Sequence, residues 1–169
     1  MNRKLKLWEL DRVSEEQFKE QEKFPITVIL NDIRSLNNIG SFFRTADAFN
    51  VEKIYLCGIT AIPPHREIHK TAIGATDSVS WEHRESIVEL VKELRSQEIQ
   101  VCSIEQAEKT TLLQNVAQLP GEKFALVFGN EVNGVDQEVI DLSDAIIEIP
   151  QFGTKHSLIP NHACKGKLT

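Results

Sequence analysis

The chain has 169 residues, 41% of them hydrophobic and 26% charged, which suits one soluble globular domain with a core of ordinary size. No apolar run approaches the roughly 20 residues of a membrane span, and the charged start MNRKLKLWELDR lacks the apolar stretch of a secretory signal. The cysteines, Cys57, Cys102 and Cys164, are far apart and form neither a disulfide framework nor a CxxC metal pair, so the expected compartment is the cytoplasm.

The net charge of -6 is unevenly spread. Residues 1–75 hold 11 Lys/Arg against 10 Asp/Glu, residues 76–150 hold 5 against 15, and residues 151–169 hold 3 against none. The acidity is confined to the middle, so the first half and the tail stay free to face phosphates.

In chain order, residues 1–24 form a charged N-terminal arm in which Ser14-Glu15-Glu16-Gln17 has the form of a capping box. The unbroken apolar run Ile26–Leu30 predicts a buried strand. A polar, Asn-rich segment and Gly40 follow, and then a helix predicted over Ser41–Asn50 with Ser41 as N-cap. Further strands are expected at Lys53–Cys57, Ile99–Ile104, Phe124–Phe128 and Ala145–Ile149. Helices are expected at Ser86–Gln97 and around Gln137–Leu142. Residues 58–80 read as a long connection carrying His65, Arg66, His69 and Lys70, and Thr110–Leu119 as a short helix or turn. This alternation predicts an α/β fold with an open, mainly parallel sheet, helices on both faces and a single domain over residues 1–169.

Three loops follow strands and contain glycine: NDIRSLNNIGSFFRTADAF, FGNEVNGVD and IPQFGTKHSL. Chemistry in open α/β folds collects outside the carboxyl ends of strands, which makes these loops the candidates. Taken alone, the first is equally a turn followed by a helix with one solvated Arg, and Glu131 in the second reads as a helix-start carboxylate. There is no GxGxxG, Walker A or GxSxG sequence, and the histidines lack the partners of a zinc site.

In order and spacing, the three loops resemble the three motifs of the SpoU (TrmH-like) RNA ribose 2′-O-methyltransferases of the SPOUT superfamily. Asn38, Gly40, Arg44, Thr45 and Ala46 match the first motif, and Gly129, Glu131 and Gly134 the second. Ile149, Pro150, Gly153, Ser157 and Leu158 match the third. The resemblance implies a C-terminal trefoil knot and a homodimer, with S-adenosylmethionine as cofactor, no metal, and tRNA or rRNA as partner. It places the catalytic roles on Arg44, Asn38, Glu131 and Ser157. The cofactor falls to Ile104, Glu105, Gly129, Ile149, Gln151, Gly153, Ser157 and Leu158, and RNA contacts to Arg34, Arg44, His65, Arg66 and Lys70.

After Leu158 the chain leaves the family pattern. Ile159 stands where the family has Asn, and residues 159–169 read as a short basic tail in place of a final helix, as a frameshift or a divergent natural terminus would produce. That departure predicts an incomplete knot, weaker dimerisation, weaker cofactor binding and reduced activity. The alternative function is a non-catalytic RNA-binding protein of the same fold.

Overall fold

The computed structural model describes residues 2–10 and 12–153; the expectations placed on His156, Ser157, Leu158 and the 159–169 tail lie outside them. Among the described residues, seven strands form one sheet: β1 (Phe24–Asn31), β2 (Val51–Cys57), β3 (Trp81–Arg84), β4 (Gln100–Ile104), β5 (Thr111–Leu112), β6 (Phe124–Phe128) and β7 (Ala145–Glu148). Their order across the sheet is β3-β2-β1-β6-β4-β7-β5, and every pairing between them is parallel. The helices are α1 (Glu15–Glu20), α2 (Leu36–Ala48), α3 (Arg66–Ala72), α4 (Ala75–Ser78), α5 (Ile87–Ser96) and α6 (Gln137–Leu142).

The side-chain alternation of the central strands divides the core in two. Val28 and Leu30 of β1, with Ile54 and Leu56 of β2, pack into a cluster with Ile39 and Phe43 of α2 and Ile68 of α3. Ile29, Tyr55 and Cys57 point the other way, into a cluster with Leu90, Val91 and Leu94 of α5 and Val139 of α6. Strands covered on both faces must be apolar throughout, which is why ITVIL and IYLC read as unbroken runs. Phe18 of α1 is buried in the first cluster, so part of the N-terminal arm is anchored. The capping box of α1 is present: the Gln17 N–H donates to Ser14 Oγ at 3.2 Å, and the Ser14 N–H donates to Gln17 Oε1 at 2.9 Å.

The structure corrects the expected elements in three places. Helix α2 begins at Leu36 with Ser35 as N-cap, not at Ser41, so Asn38 and Gly40 lie inside it. Position 40 is glycine because α3 crosses there: a Cβ would overlap the Thr71 hydroxyl and the Ile68 carbonyl. The connection 58–80 contains α3 and α4 and runs into an unexpected strand, β3; in Thr110–Leu119 the expected short helix is present as a 3-10 helix (Leu113–Gln118), but the unexpected strand β5 precedes it. Both extra strands are sheet edges, where half-exposed side chains leave no apolar run to read.

From the centre, β1, β2 and β3 step outward in one direction. The chain then crosses to β4, and β6 later inserts between β4 and β1. The β1–β6 boundary is therefore the point where the strand order reverses, and the crevice outside its carboxyl ends is the expected ligand position.

Candidate functional site

The loops after β1 and β6 meet in that crevice and are fastened to each other. Glu131, from the β6 loop, accepts from the Arg34 N–H and the Ser35 N–H, each at 3.0 Å, and from Asn38 Nδ2 at 3.2 Å. Its carboxylate thus sits on the free N–H groups that open α2, alongside Ser35 Oγ, which accepts from the Asn38 N–H at 3.3 Å. Burial pushes the Glu131 carboxyl up; the N–H groups of Arg34, Ser35 and Glu131 itself and the Asn38 amide outweigh that and hold it below the usual carboxylate value.

Asn130 completes the junction. Its Nδ2 donates to the Asp32 carbonyl at 2.7 Å, while its Oδ1 accepts from the N–H groups of Val132 and Asn133 at 2.9 and 3.2 Å. Asp32 has φ 54, a left-handed conformation that Asp tolerates better than most residues. Its Oδ1 accepts from the Ile59 N–H at 3.0 Å, and Thr60 Oγ1 accepts from the Ile33 N–H at 3.0 Å and donates to the Leu30 carbonyl. The β2 loop is thereby joined to the other two.

Gly129 and Gly134 make the β6 loop possible. A Cβ at Gly129 would overlap the Gly134 carbonyl, and Gly134, at φ 72, runs against the Glu105 carboxylate. Glu105 holds this loop to β4: its Oε2 accepts from the Val135 N–H at 3.0 Å and its Oε1 from the Gln106 N–H at 2.8 Å.

The expected site residues therefore fall into distinct groups. Asn38 and Glu131 are in direct contact, with the Arg34 backbone beside them. Arg44 is on the same helix as Asn38, six residues on, about 9 Å along the axis. Its side chain is exposed and has no hydrogen-bond or ion-pair partner among the described residues. Ile104, Gly129, Ile149 and Gln151 are half-buried at or just past the carboxyl ends of β4, β6 and β7, three neighbouring strands; Gly153 is exposed. His65, Arg66 and Lys70 lie apart from these on α3 and its N-cap. His65 Nδ1 accepts from the Glu67 N–H at 3.2 Å, and Lys70 Nζ lies 3.9 Å from Glu67 Oε2.

Sequence reasoning missed Ser35, Asp32, Asn130 and Thr60. Ser35 had a signal, a Ser three residues before Asn38, but the Asn-Asn-Ile-Gly that follows reads as a loop. The other three act through contacts between distant loops, which no local pattern announces.

Fold and site define an α/β protein that gathers three strand-end loops at the switch point of a parallel sheet. The chain belongs to the SpoU rRNA Methylase family, whose pattern matches residues 25–163 and so continues past Ile159. It is similar to a TrmH family relative from Staphylococcus haemolyticus, with 28% identity over 140 residues covering 83% of this chain and 55% of the relative. The 23S rRNA (guanosine-2'-O-)-methyltransferase RlmB of Neisseria meningitidis is 27% identical over 134 residues, 79% of this chain and 52% of that protein. The chain thus spans about half the length of these relatives. Among solved structures, the A. aeolicus TrmH/SpoU tRNA modifying enzyme superposes with a TM-score of 0.73 at 22% identity, covering 85% of this chain and 71% of that one. The AdoMet-bound rRNA methyltransferase from Sinorhizobium meliloti gives 0.73 at 24% identity, covering 88% and 56%. At such identities the structural likeness establishes the fold.

Proposed function

We propose that this protein transfers a methyl group from S-adenosylmethionine to a ribose 2′-hydroxyl of tRNA or rRNA. The observation that carries the reading is the fastening of the β1 loop and α2 to the β6 loop through Glu131. It fixes the helix carrying Arg44 next to the strand ends proposed to hold the cofactor.

The residues fit an adenosine-bearing group. Ile104, Gly129, Ile149 and Gln151 offer apolar side chains and strand-end backbone groups at three adjacent strands, the chemistry that a flat heterocycle and its edge require. The Glu105 carboxylate is already engaged by two N–H groups, so its part in such a pocket is to hold the β6 loop in place. Bound S-adenosylmethionine supplies an electrophilic methyl group; positioning the nucleophile falls to the chain. A ribose hydroxyl is a weak nucleophile, and its reactivity depends on alignment and on an acceptor for its proton. A guanidinium donates and does not accept, so we assign Arg44 to hold the target nucleotide through its phosphate and ribose oxygens, with Asn38 and Glu131 fixing the helix that presents it. The 2′-proton leaves to a phosphate oxygen that Arg44 orients or to water.

The same reading takes residues after β7, Ser157 and Leu158 among them, as the closing part of a knotted cofactor pocket, and two copies of the chain as the working unit. The test is transfer of labelled methyl to bulk RNA by wild-type protein and by Arg44→Ala. Incorporation lost in the variant supports the proposal; RNA binding without incorporation by the wild type favours a non-catalytic RNA-binding protein.

A further inference from the structure

One side of α3 packs on α2, through Thr71 Oγ1 donating to the Asn37 carbonyl and the close approach at Gly40. Another side of α3 lines a pocket of about 530 Å³. Its other walls are the Pro63-Pro64 pair, Thr76 and Asp77 of α4, and Trp81 at the start of β3. None of these groups takes part in the junction around Glu131.

The pocket combines two kinds of surface. Trp81 is half-buried against the first core cluster, and its indole N–H has no partner among the described residues. Ring and prolines supply the apolar part of the lining. Polar groups complete the lining: His65, Arg66 and His69 from α3 and its N-cap, and Asp77 from α4, all exposed. A core crevice would not carry four exposed titratable side chains around an accessible indole. A hydrophobic partner helix would leave those charges unpaired. A flat heterocycle with a donor and acceptor edge and an attached phosphate satisfies both surfaces: it stacks on the ring, its edge meets Asp77 and histidine, and its phosphate meets Arg66.

Location specifies the ligand further. Asn37, Gly40 and Arg44 are spaced i, i+3 and i+7, so Arg44 continues the side of α2 that α3 covers. The short helix that lines the pocket is thus the one that covers the Arg44 side of α2, and a helix is roughly 10 Å across. We propose that this pocket receives an unstacked base of the RNA, neighbouring the nucleotide presented to Arg44, stacked on Trp81. The proposal rests on the RNA reading above, and its test separates the two.

With Trp8→Phe, Trp81 is the single tryptophan of the protein. Titrating that protein with a short single-stranded RNA is expected to quench Trp81 saturably, whereas a ribose-phosphate polymer of equal length without bases leaves it unchanged. By anisotropy with labelled RNA, Trp81→Leu is expected to weaken binding at least fivefold, with Trp81→Tyr within about threefold of wild type. His69→Ala and Asp77→Asn, at exposed positions, are expected to weaken binding with the circular-dichroism spectrum unchanged. Equal quenching by the base-free polymer, or RNA affinity unchanged in Trp81→Leu and Asp77→Asn, overturns the pocket. Quenching without methyl transfer by the wild type keeps the pocket and overturns the catalytic reading; methyl transfer without quenching does the reverse.

Discussion

Replacing Glu131 with Ala removes at least three acceptor contacts, counted among the described residues: two to the N–H groups of Arg34 and Ser35, one to the Asn38 amide. A shielded bond to a charged acceptor contributes about 1.5–3 kcal/mol. Glu131 is only half-buried, and water replaces part of what is lost, so about 1 kcal/mol per bond is the better figure. The sum, about 3 kcal/mol, corresponds to a melting temperature roughly 6–12 °C lower for a chain of this size. Glu131→Gln keeps one carbonyl acceptor and is expected to lose about half as much. The pH dependence follows from the sign of the shift. The carboxyl titrates below its usual value near 4.5 in the folded protein, so its contribution is complete above that value and disappears as pH falls through the lower folded value. The gap in melting temperature between wild type and Glu131→Gln, followed by circular dichroism, is therefore full at neutral pH and closes in acid. A gap that is absent at pH 7, or that widens in acid, refutes the reasoning.

Other expectations rest on separate features. Gly129→Ala forces a Cβ into the Gly134 carbonyl and is expected to cost about 3 kcal/mol, at the upper end of overpacking penalties of about 1–3 kcal/mol; Gly153→Ala, whose Cβ would meet nothing within 4 Å among the described residues, is expected to leave the melting temperature unchanged. Gly40→Ala pushes α2 from α3 and is expected to lower stability by about 1–3 kcal/mol, measured by urea unfolding. Burial pushes the Cys57 thiol up to about 12 and the Cys102 thiol up to about 11, with the Asp32 and Asp144 carboxylates acting in the same direction and Arg84 opposing at Cys57. Neither is expected to react with a thiol-disulfide reagent at neutral pH until urea unfolds the protein, because the thiolate is the nucleophile.

Much of the fold was legible because buried parallel strands must be apolar on both faces: Ile26–Leu30 and Phe124–Phe128 declared themselves. The helix Ser86–Gln97 was equally plain from its apolar face, and α5 buries Ile87, Leu90, Val91 and Leu94 as that spacing requires. The start of α2 was misplaced because Gly40 and its asparagines signal a loop when the helix crossing that selects glycine is unseen. The chemistry of Glu131 was anticipated in kind but not in place. A carboxylate favoured at a helix start is what it is, yet the helix is α2, whose N-cap Ser35 and the preceding Arg34 lie 96 and 97 positions away in sequence. Trp81 drew no attention because its significance depends on α3 and α4, both hidden in what reads as a connection.

The proposed activity is methyl transfer to a ribose oxygen of a nucleotide held by Arg44. Arg44 is exposed and unpartnered among the described residues, so Arg44→Ala is expected to melt within about 2 °C of wild type, as surface substitutions usually do. The most direct measurement incubates RNA with labelled S-adenosylmethionine and protein, then hydrolyses the RNA in alkali, which cannot cleave beside a 2′-O-methyl group. Label in alkali-resistant dinucleotides with the wild-type protein, and none with Arg44→Ala, is the predicted result. Label released in mononucleotides, which marks a methylated base, or equal incorporation by Arg44→Ala, contradicts it.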